Sequence, residues 1–307
     1  MHEMSSQNTA QFLEKKYLDF LKSQEVYSEP FHNKLGQLRN FYLPICKKIY
    51  LDFKKDRKIK ILGLTGGQGA GKSTITQIIK LIFETKYNLN VTYFSIDDFY
   101  KTLKERKKLS VKVHKLFKIR GVPGTHDTKL LKKVFTNLTK KNFRQIYIPR
   151  FDKSVDDRFP KNKWQKIKKR PHIIIFEGWC VGARPQNYKK LSKPINDLEK
   201  KNDLDMIWRK KVNQELNVDY KKIFNKIDNL IFLRVPNFEC VYKWRLLQEK
   251  KLRLTSKGKK IMSPSQVRQF IMYYERITKQ MLVDLSKKAY AVLYLDKKHR
   301  LNRLKFN

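Results

Sequence analysis

Residues 58–79 read KIKILGLTGGQGAGKSTITQII, and this stretch decides the fold. It starts with an apolar run of the length of a buried strand, passes through a glycine-rich turn and ends in a helical pattern. The turn contains the pattern G-x-x-x-x-G-K-[ST], from Gly66 to Ser73. A P-loop requires a strand before this pattern and a helix after it, so the stretch predicts a site for a nucleoside triphosphate.

Each residue type in the loop has a physical reason. Glycines let backbone N–H groups turn toward phosphate oxygens, and the following helix adds the positive end of its dipole. Lys72 is expected to reach the β- and γ-phosphates, and Ser73 to bind Mg²⁺. The alternative is a glycine-rich turn without a ligand. The predicted nucleotide-binding residues are Gly66, Gly67, Gln68, Gly69, Ala70, Gly71, Lys72, Ser73 and Thr74.

Strands and helices alternate along the rest of the chain. Apolar strands are predicted at 58–66, 90–97, 172–178, 229–235 and 291–295, and helices at 129–138, 203–226, 237–254 and 265–288. This alternation predicts an α/β fold of the P-loop NTPase type: a three-layer α/β/α sandwich with a mostly parallel five-stranded sheet. Residues 1–57 carry helical patterns and are expected to form a helical N-terminal extension to a domain spanning 58–307.

Two acidic residues at predicted strand ends are candidates for chemistry. Asp97 follows Lys72 by 25 residues, about one helix and one strand, so it returns to the edge of the sheet where the P-loop lies. A carboxylate there can accept the proton of an attacking hydroxyl. Glu177 ends the apolar strand HIIIFEG and is expected to serve Mg²⁺. The alternatives are that Asp97 caps the next helix, as Asp98 is expected to do, and that Glu177 faces solvent.

Two polar stretches lie between these acids. RGVPGTHD at 120–127 holds a His-Asp pair among turn residues, and IPRFDKS at 148–154 follows a short strand. From their composition alone, both stretches are equally consistent with ordinary loops. A lone histidine such as His126 is more often structural than functional.

Composition sets broad limits on function. There are 70 Lys and Arg residues against 28 Asp and Glu, a net charge of +42 that attracts polyanions without specifying a sequence. The alternative is codon bias, since Lys, Asn and Ile are common together. The apolar runs are too short to span a membrane, and the three scattered cysteines form no CxxC pair. We therefore expect a reduced, cytoplasmic protein without membrane association and leave its oligomeric state open.

The motifs GGQGAGKS, SIDDFY, RGVPGTHD, IPRFDKS and FEGW, in this order, resemble the D-glycerate 3-kinase branch of the P-loop kinases. This branch is related to uridine kinase, phosphoribulokinase and bacterial pantothenate kinase. The resemblance covers about residues 58–295 and implies an ATP- and Mg²⁺-dependent kinase that converts D-glycerate to 3-phosphoglycerate. A nucleoside or pantothenate kinase is the alternative enzyme. A nucleic-acid-associated NTP-binding protein is the alternative from another class, but no RNA- or DNA-binding motif supports it.

The resemblance also implies residue roles. Asp97 is the candidate general base, acting with Lys72, and the metal ligands are Ser73 and Glu177. The small hydroxy-acid substrate is expected to bind in an insertion at about 100–171, and Arg245 to meet phosphate oxygens from a lid at about 240–262. Arg150 can form two parallel hydrogen bonds with a substrate carboxylate. The residues implied for substrate contact are His126, Asp127, Arg150 and Lys153.

Overall fold

A six-stranded sheet forms the centre of the molecule. The computed structural model describes residues 6–25, 31–255 and 262–307. The strand order is β10-β9-β8-β1-β7-β2, and only β10 runs antiparallel to its neighbour. The strands of this sheet are β1 (Lys60–Gly66), β2 (Val91–Ser95), β7 (Ile173–Gly178), β8 (Asn229–Arg234), β9 (Ala291–Leu295) and β10 (Leu301–Phe306). Two small hairpins contain β3 (Ile146–Ile148) with β6 (Gln165–Ile167), and β4 (Phe151–Asp152) with β5 (Asp157–Arg158).

The helices of the described residues cover both faces of the sheet. They are α1 (Ser6–Gln24), α2 (Lys34–Gln37), α3 (Leu43–Asp56), α4 (Lys72–Lys86), α5 (Leu103–Lys112), α6 (Thr128–Thr139), α7 (Tyr188–Ser192), α8 (Asp197–Asn202), α9 (Ile207–Glu215), α10 (Lys221–Phe224), α11 (Phe238–Thr255) and α12 (Pro264–Lys288). Two π-helical turns, Leu38–Tyr42 and Leu216–Tyr220, join α2 to α3 and α9 to α10.

Alternate residues of each central strand pack into different layers, which produces the three-layer sandwich. In β7, Ile174 and Phe176 pack with helices α6, α9 and α12, whereas Ile173 and Ile175 pack with α1, α3 and α4. A strand that is covered on both faces must be apolar throughout, and β7 has four fully buried residues in succession. The predicted fold class is therefore confirmed.

The five predicted strands are all present, but the sheet has six strands and not the predicted five. The sixth strand, β10, follows β9 along the chain and pairs with it in antiparallel orientation at the edge of the sheet. Half of its sequence LNRLKF is polar, at Asn302, Arg303 and Lys305, so it lacks the apolar signal of the central strands. The helix predicted at 203–226 begins at Ile207 and contains a π-helical turn, and the short helices α5, α7 and α8 were not predicted.

The N-terminal helices share the core of the sheet. Leu13, Tyr17 and Leu21 of α1 are buried in the same apolar cluster as Ile78 and Ile82 of α4. Pro44 follows the π-helical turn Leu38–Tyr42 at the start of α3. Cys46, Cys180 and Cys240 are free thiols and are buried. In the described part of the chain, no helix is both long enough and apolar enough to cross a membrane.

The sheet brings the predicted site residues to one edge. Parallel strands end at the same edge, and ligands of such sheets bind at their carboxyl ends. Glu177 of β7 pairs in register with Leu64 of β1 on one side and with Ser95 of β2 on the other. The turn after β1 and the turn after β2 therefore flank Glu177.

Candidate active site at the carboxyl edge of the sheet

The P-loop connects β1 to α4 in a conformation that requires glycine at two positions. Gly69 and Gly71 have φ angles of 79° and 88°, in the region that other residues avoid. Gly66 has no space for a side chain, because a Cβ there would lie 2.8 Å from Cβ of Leu233. Gly71 is the residue before the first turn of α4, and its carbonyl accepts from the N–H of Ile75. The loop therefore presents the N-terminus of a 15-residue helix to a ligand.

Lys72 lies inside the loop that it is expected to serve. Its ammonium group donates to the carbonyl oxygens of Gly66 and Gly67, at 3.1 and 3.0 Å. Burial lowers the pKa of Lys72, while the carboxylates of Glu177 and Asp97 act against that shift. The ammonium group therefore lies within the field of two acids.

Asp97 has two side-chain partners. The Tyr100 hydroxyl donates to Oδ1 at 2.9 Å, and Nζ of Lys153 lies 2.7 Å from Oδ2. Burial raises the pKa of Asp97, but the charge and hydrogen bond of Lys153, together with His126 and the hydrogen bond from Tyr100, lower it to about 2. Asp97 is therefore ionised at neutral pH.

Asp98 caps the short 3₁₀ turn after β2, as predicted. Its carboxylate accepts from the backbone N–H of Ser95, and the Ser95 hydroxyl accepts from the N–H of Asp97. This reciprocal pair is a capping box, which ends β2 and fixes the direction of Asp97. Arg150 also lies near Asp98, with Nε 3.6 Å from Oδ1.

Asp97 and Glu177 share one cleft with the start of α4. The cleft has a volume of about 330 Å³. We call it the carboxylate cleft, and its lining residues include Ser73, Thr76, Gln77, Ser95, Asp97, Asp98, Arg150, Lys153 and Glu177. Burial raises the pKa of Glu177, and Lys72 lowers it again. The cleft thus combines the phosphate-binding end of the P-loop, three acids and two cations.

The cations reach the cleft because a buried arginine fixes the stretch that carries them. Arg106 of α5 has a fully buried side chain that donates to the backbone carbonyls of Lys101, Lys118 and Asp156. It also pairs with the Asp156 carboxylate at 2.9 Å. Sequence analysis missed Arg106, because one Arg in the Lys-rich run KERKK gives no signal of burial.

His126 and Asp127 do not line the carboxylate cleft. His126 is completely buried beneath Tyr100, with ring centroids 4.5 Å apart, and its Nδ1 lies 2.6 Å from the Tyr220 hydroxyl. Burial lowers the pKa of His126 to about 3, so the ring is neutral. Asp127 caps α6 and lies 3.4 Å from Arg158. In the structure the two side chains contact Tyr100, Tyr220, α6 and Arg158, and the substrate contacts that the resemblance implied for them stay a prediction.

Arg245 lies on α11 and pairs with Glu249 one turn later. Glu249 also accepts from the backbone N–H of Met262, at 3.0 Å, which links α11 to the segment before α12. The expected lid at about 240–262 includes residues 256–261, which lie outside the described residues. Arg245 itself does not line the carboxylate cleft.

The oxygen ligands of the cleft suit Mg²⁺. Among the described residues, no group of three or more His, Cys, Asp and Glu side chains could hold a metal by itself. Mg²⁺ is usually bound by one or two protein oxygens together with substrate phosphates, so this sparse donor set fits it. Ser73 and Glu177 supply a hydroxyl and a carboxylate beside the P-loop.

Comparison with known proteins agrees with this geometry. The model of the phosphoribulokinase/uridine kinase family matches residues 61–209. An uncharacterised kinase of Schizosaccharomyces pombe is 36% identical over 222 residues, which cover 70% of this chain and 78% of that protein. The chloroplastic D-glycerate 3-kinase of Arabidopsis thaliana is 29% identical over 256 residues, 78% of this chain and 53% of that protein.

A solved structure shows the same fold. The D-glycerate 3-kinase from Cryptococcus neoformans superposes with a TM-score of 0.74 at 21% identity, over 87% of this chain and 99% of that chain. The chain belongs to the phosphoribulokinase/uridine kinase family, as a P-loop kinase similar to D-glycerate 3-kinases.

Proposed function

We propose that this kinase transfers the γ-phosphoryl group of ATP to the 3-hydroxyl of D-glycerate. The observation that carries the proposal is the carboxylate cleft, where an ionised acid and two cationic side chains adjoin the P-loop. A phosphoryl transfer to a small hydroxy acid needs these three features together. They are a phosphate site, an acceptor for the hydroxyl proton and a positive partner for the acid group.

ATP and Mg²⁺ are the proposed cofactors. The glycine-rich loop and the N-terminus of α4 surround the phosphates, and Lys72 releases its two carbonyl partners to meet them. Ser73 and Glu177 would hold Mg²⁺, which would supply positive charge beside the phosphates. Arg245 remains a candidate phosphate ligand, on the condition that its pair with Glu249 opens.

Asp97 is the proposed proton acceptor. Its low pKa makes it a weak base while it is paired with Lys153. The transition state of phosphoryl transfer is loose, so the hydroxyl becomes acidic before its proton leaves. A substrate carboxylate that engages Lys153 competes with Asp97 for the ammonium group, and this competition strengthens Asp97 as a base. Tyr100 holds the carboxylate in place during the exchange.

Arg150 is the proposed partner of the substrate carboxylate, together with Lys153. The Arg150 side chain is 46% exposed and lies 3.6 Å from Asp98, which is too far for a strong hydrogen bond. Its guanidinium group is therefore free to form parallel hydrogen bonds with a carboxylate in the cleft. A nucleoside offers no carboxylate for these cations, and this difference favours glycerate over uridine.

An acceptor screen tests the proposal. The purified protein is incubated with Mg²⁺-ATP and with D-glycerate, pantothenate, uridine or ribulose 5-phosphate, and ADP is measured. We expect the highest kcat/KM with D-glycerate, and in Arg150→Ala a raised KM for D-glycerate with an unchanged KM for ATP. If uridine or pantothenate were phosphorylated faster than D-glycerate, that compound and not glycerate would be the acceptor. The cytoplasmic location and the division into an extension, 1–57, and a kinase domain, 58–307, remain part of this proposal.

A further inference from the structure

A second cavity, of about 540 Å³, adjoins the P-loop on a different side from the carboxylate cleft. Thr74 and Ile75 line this cavity, whereas Ser73, Thr76 and Gln77 line the cleft. Successive helical residues are rotated by about 100°, so these two sets lie on different faces of α4. The first turn of α4 therefore separates two spaces.

The N-terminal extension supplies one wall of the second cavity. Gln24, Phe31 and His32 come from this extension, and Trp244 of α11 and Arg300 from the turn between β9 and β10 line other sides. The wall is built from segments far apart in sequence, since His32 and Arg300 are 268 residues apart. Their side chains meet, with Nη2 of Arg300 2.9 Å from Nε2 of His32.

Buried polar contacts hold this wall in position. The amide of Gln37, which is 9% exposed, donates to the His32 carbonyl at 2.8 Å. Glu25 accepts from the backbone N–H of Phe31 at 2.8 Å and pairs with Lys34 at 2.8 Å. A buried amide with a fixed partner restricts the backbone, so Phe31 and His32 are oriented at the cavity before a ligand binds.

The direction of phosphoryl transfer determines what this cavity can hold. The transferable phosphate must face the carboxylate cleft, where Asp97 and the acceptor meet. If the γ-phosphate lies at the carboxylate cleft and the triphosphate passes over the first turn of α4, the nucleoside lies on the side of Thr74, in the second cavity. The volume of the cavity lies in the range of small-molecule sites, and Phe31 and Trp244 offer apolar surface to a flat base.

We infer that Gln24, Phe31 and His32 form one wall of the nucleoside subsite, so that this part of the N-terminal extension belongs to the active site. This inference rests on the proposed use of ATP. It gives residues before the P-loop domain a role that none of the sequence motifs indicates: binding the base and ribose of the nucleotide.

Binding of ADP and of pyrophosphate, each with Mg²⁺, separates the two ends of the nucleotide. Isothermal titration calorimetry is carried out on the full chain and on His32→Ala and Phe31→Ala. We expect each variant to bind ADP about tenfold more weakly, as for one lost polar or stacking contact, and to bind pyrophosphate as the unchanged protein does. Arg39→Ala is the matched control, because Arg39 is in the extension but pairs with Glu14 at the surface. It should bind both ligands normally.

Two results would contradict the nucleoside subsite, and a third would contradict the P-loop assignment. Unchanged ADP affinity in both His32→Ala and Phe31→Ala would overturn the subsite. An equal loss of ADP and pyrophosphate affinity would also overturn it, since the extension would then act on the P-loop as a whole. The proposed function is tested separately by Lys72→Ala, which should lose affinity for both ligands. If Lys72→Ala bound both normally, the P-loop assignment would fail instead.

Discussion

Asp97 and Asp98 are neighbours in the chain, yet their partners give them different roles. Asp98 is bonded to the backbone N–H of Ser95 and ends the strand. Asp97 faces the carboxylate cleft and is bonded to Tyr100 and Lys153. The first arrangement positions a turn, and the second leaves a charged oxygen beside the expected path of the acceptor hydroxyl.

This difference predicts distinct effects of two matched substitutions. Asp97→Asn keeps the shape of the side chain but removes its basicity, so kcat should fall by about 10²- to 10⁴-fold while ATP affinity changes little. Asp98→Asn can still accept a hydrogen bond from Ser95 and should have a mild effect. Steady-state kinetics with the acceptor identified in the screen measure both. If Asp98→Asn were inactive and Asp97→Asn remained active, the general base would be Asp98 and not Asp97.

Lys72 contacts the P-loop backbone and not the apolar core, so its removal should affect ligand more than fold. Lys72→Ala is expected to weaken ATP binding or abolish turnover, because the β- and γ-phosphates lose their point charge. Its melting temperature should stay close to that of the unchanged protein. Lys80→Ala is the control, since Lys80 lies on the same helix and pairs with Glu84 at the surface. Equal ATP affinity in Lys72→Ala and Lys80→Ala would contradict the assigned role.

The position of a residue could be predicted where it belongs to a local pattern, and its role stays a prediction. The P-loop residues, the acids at strand ends and the cap of Asp98 are all readable from a few adjacent letters. Arg106 was missed because its partner Asp156, 50 residues away, is brought to it only by the tertiary fold. The burial of His126 was missed for the same reason, since Tyr220 covers it from 94 residues away.

At the scale of elements, one buried ion pair joins α12 to the region of α7 and α8. Arg276 of α12 donates to both carboxylate oxygens of Glu199, at 2.7 and 2.6 Å. Its remaining N–H groups donate to the carbonyls of Lys190 and Lys193. Glu199 is 1% exposed, so loss of Arg276 would leave a buried charge without its partner.

We therefore expect Arg276→Ala to reduce the free energy of unfolding by about 3–5 kcal/mol. Arg268→Ala provides the control on the same helix, because its pair with Glu239 is 4.0 Å long and both side chains are 54% exposed. That change should cost less than about 1 kcal/mol. Urea unfolding measures both values. Similar losses in the two variants would show that α12 is held by its apolar face alone.

Apolar patterns predicted the long elements well, because β1 and β7 are buried on both faces and α12 buries one continuous face. They missed α7 and α8, which are five and six residues long and depend on Asn187 and Asn196 as caps. Elements this short give too few apolar positions for a period to be recognised. Strand β10 was missed because an edge strand is half exposed, so its sequence resembles a polar loop.

At the scale of the whole molecule, the net charge of +42 is the feature that the kinase site does not explain. The cations are spread along the chain, and none of the five sequence motifs resembles a nucleic-acid-binding motif. We expect any RNA or DNA binding to be non-specific and to fall steeply as salt rises, because counterion release drives it. Fluorescence anisotropy over a salt series measures this. A sub-micromolar affinity for one sequence at physiological salt would favour the nucleic-acid-associated alternative.

The most direct test of the central claim is the identity of the phosphorylated product. D-Glycerate and Mg²⁺-ATP are incubated with the protein, and the product is followed by ³¹P NMR. We expect a phosphate ester on the 3-hydroxyl, formed in equal amount with ADP and absent when Lys72→Ala replaces the unchanged chain. Formation of no phosphoglycerate at saturating D-glycerate, or formation at the same rate by Lys72→Ala, would contradict the proposed function.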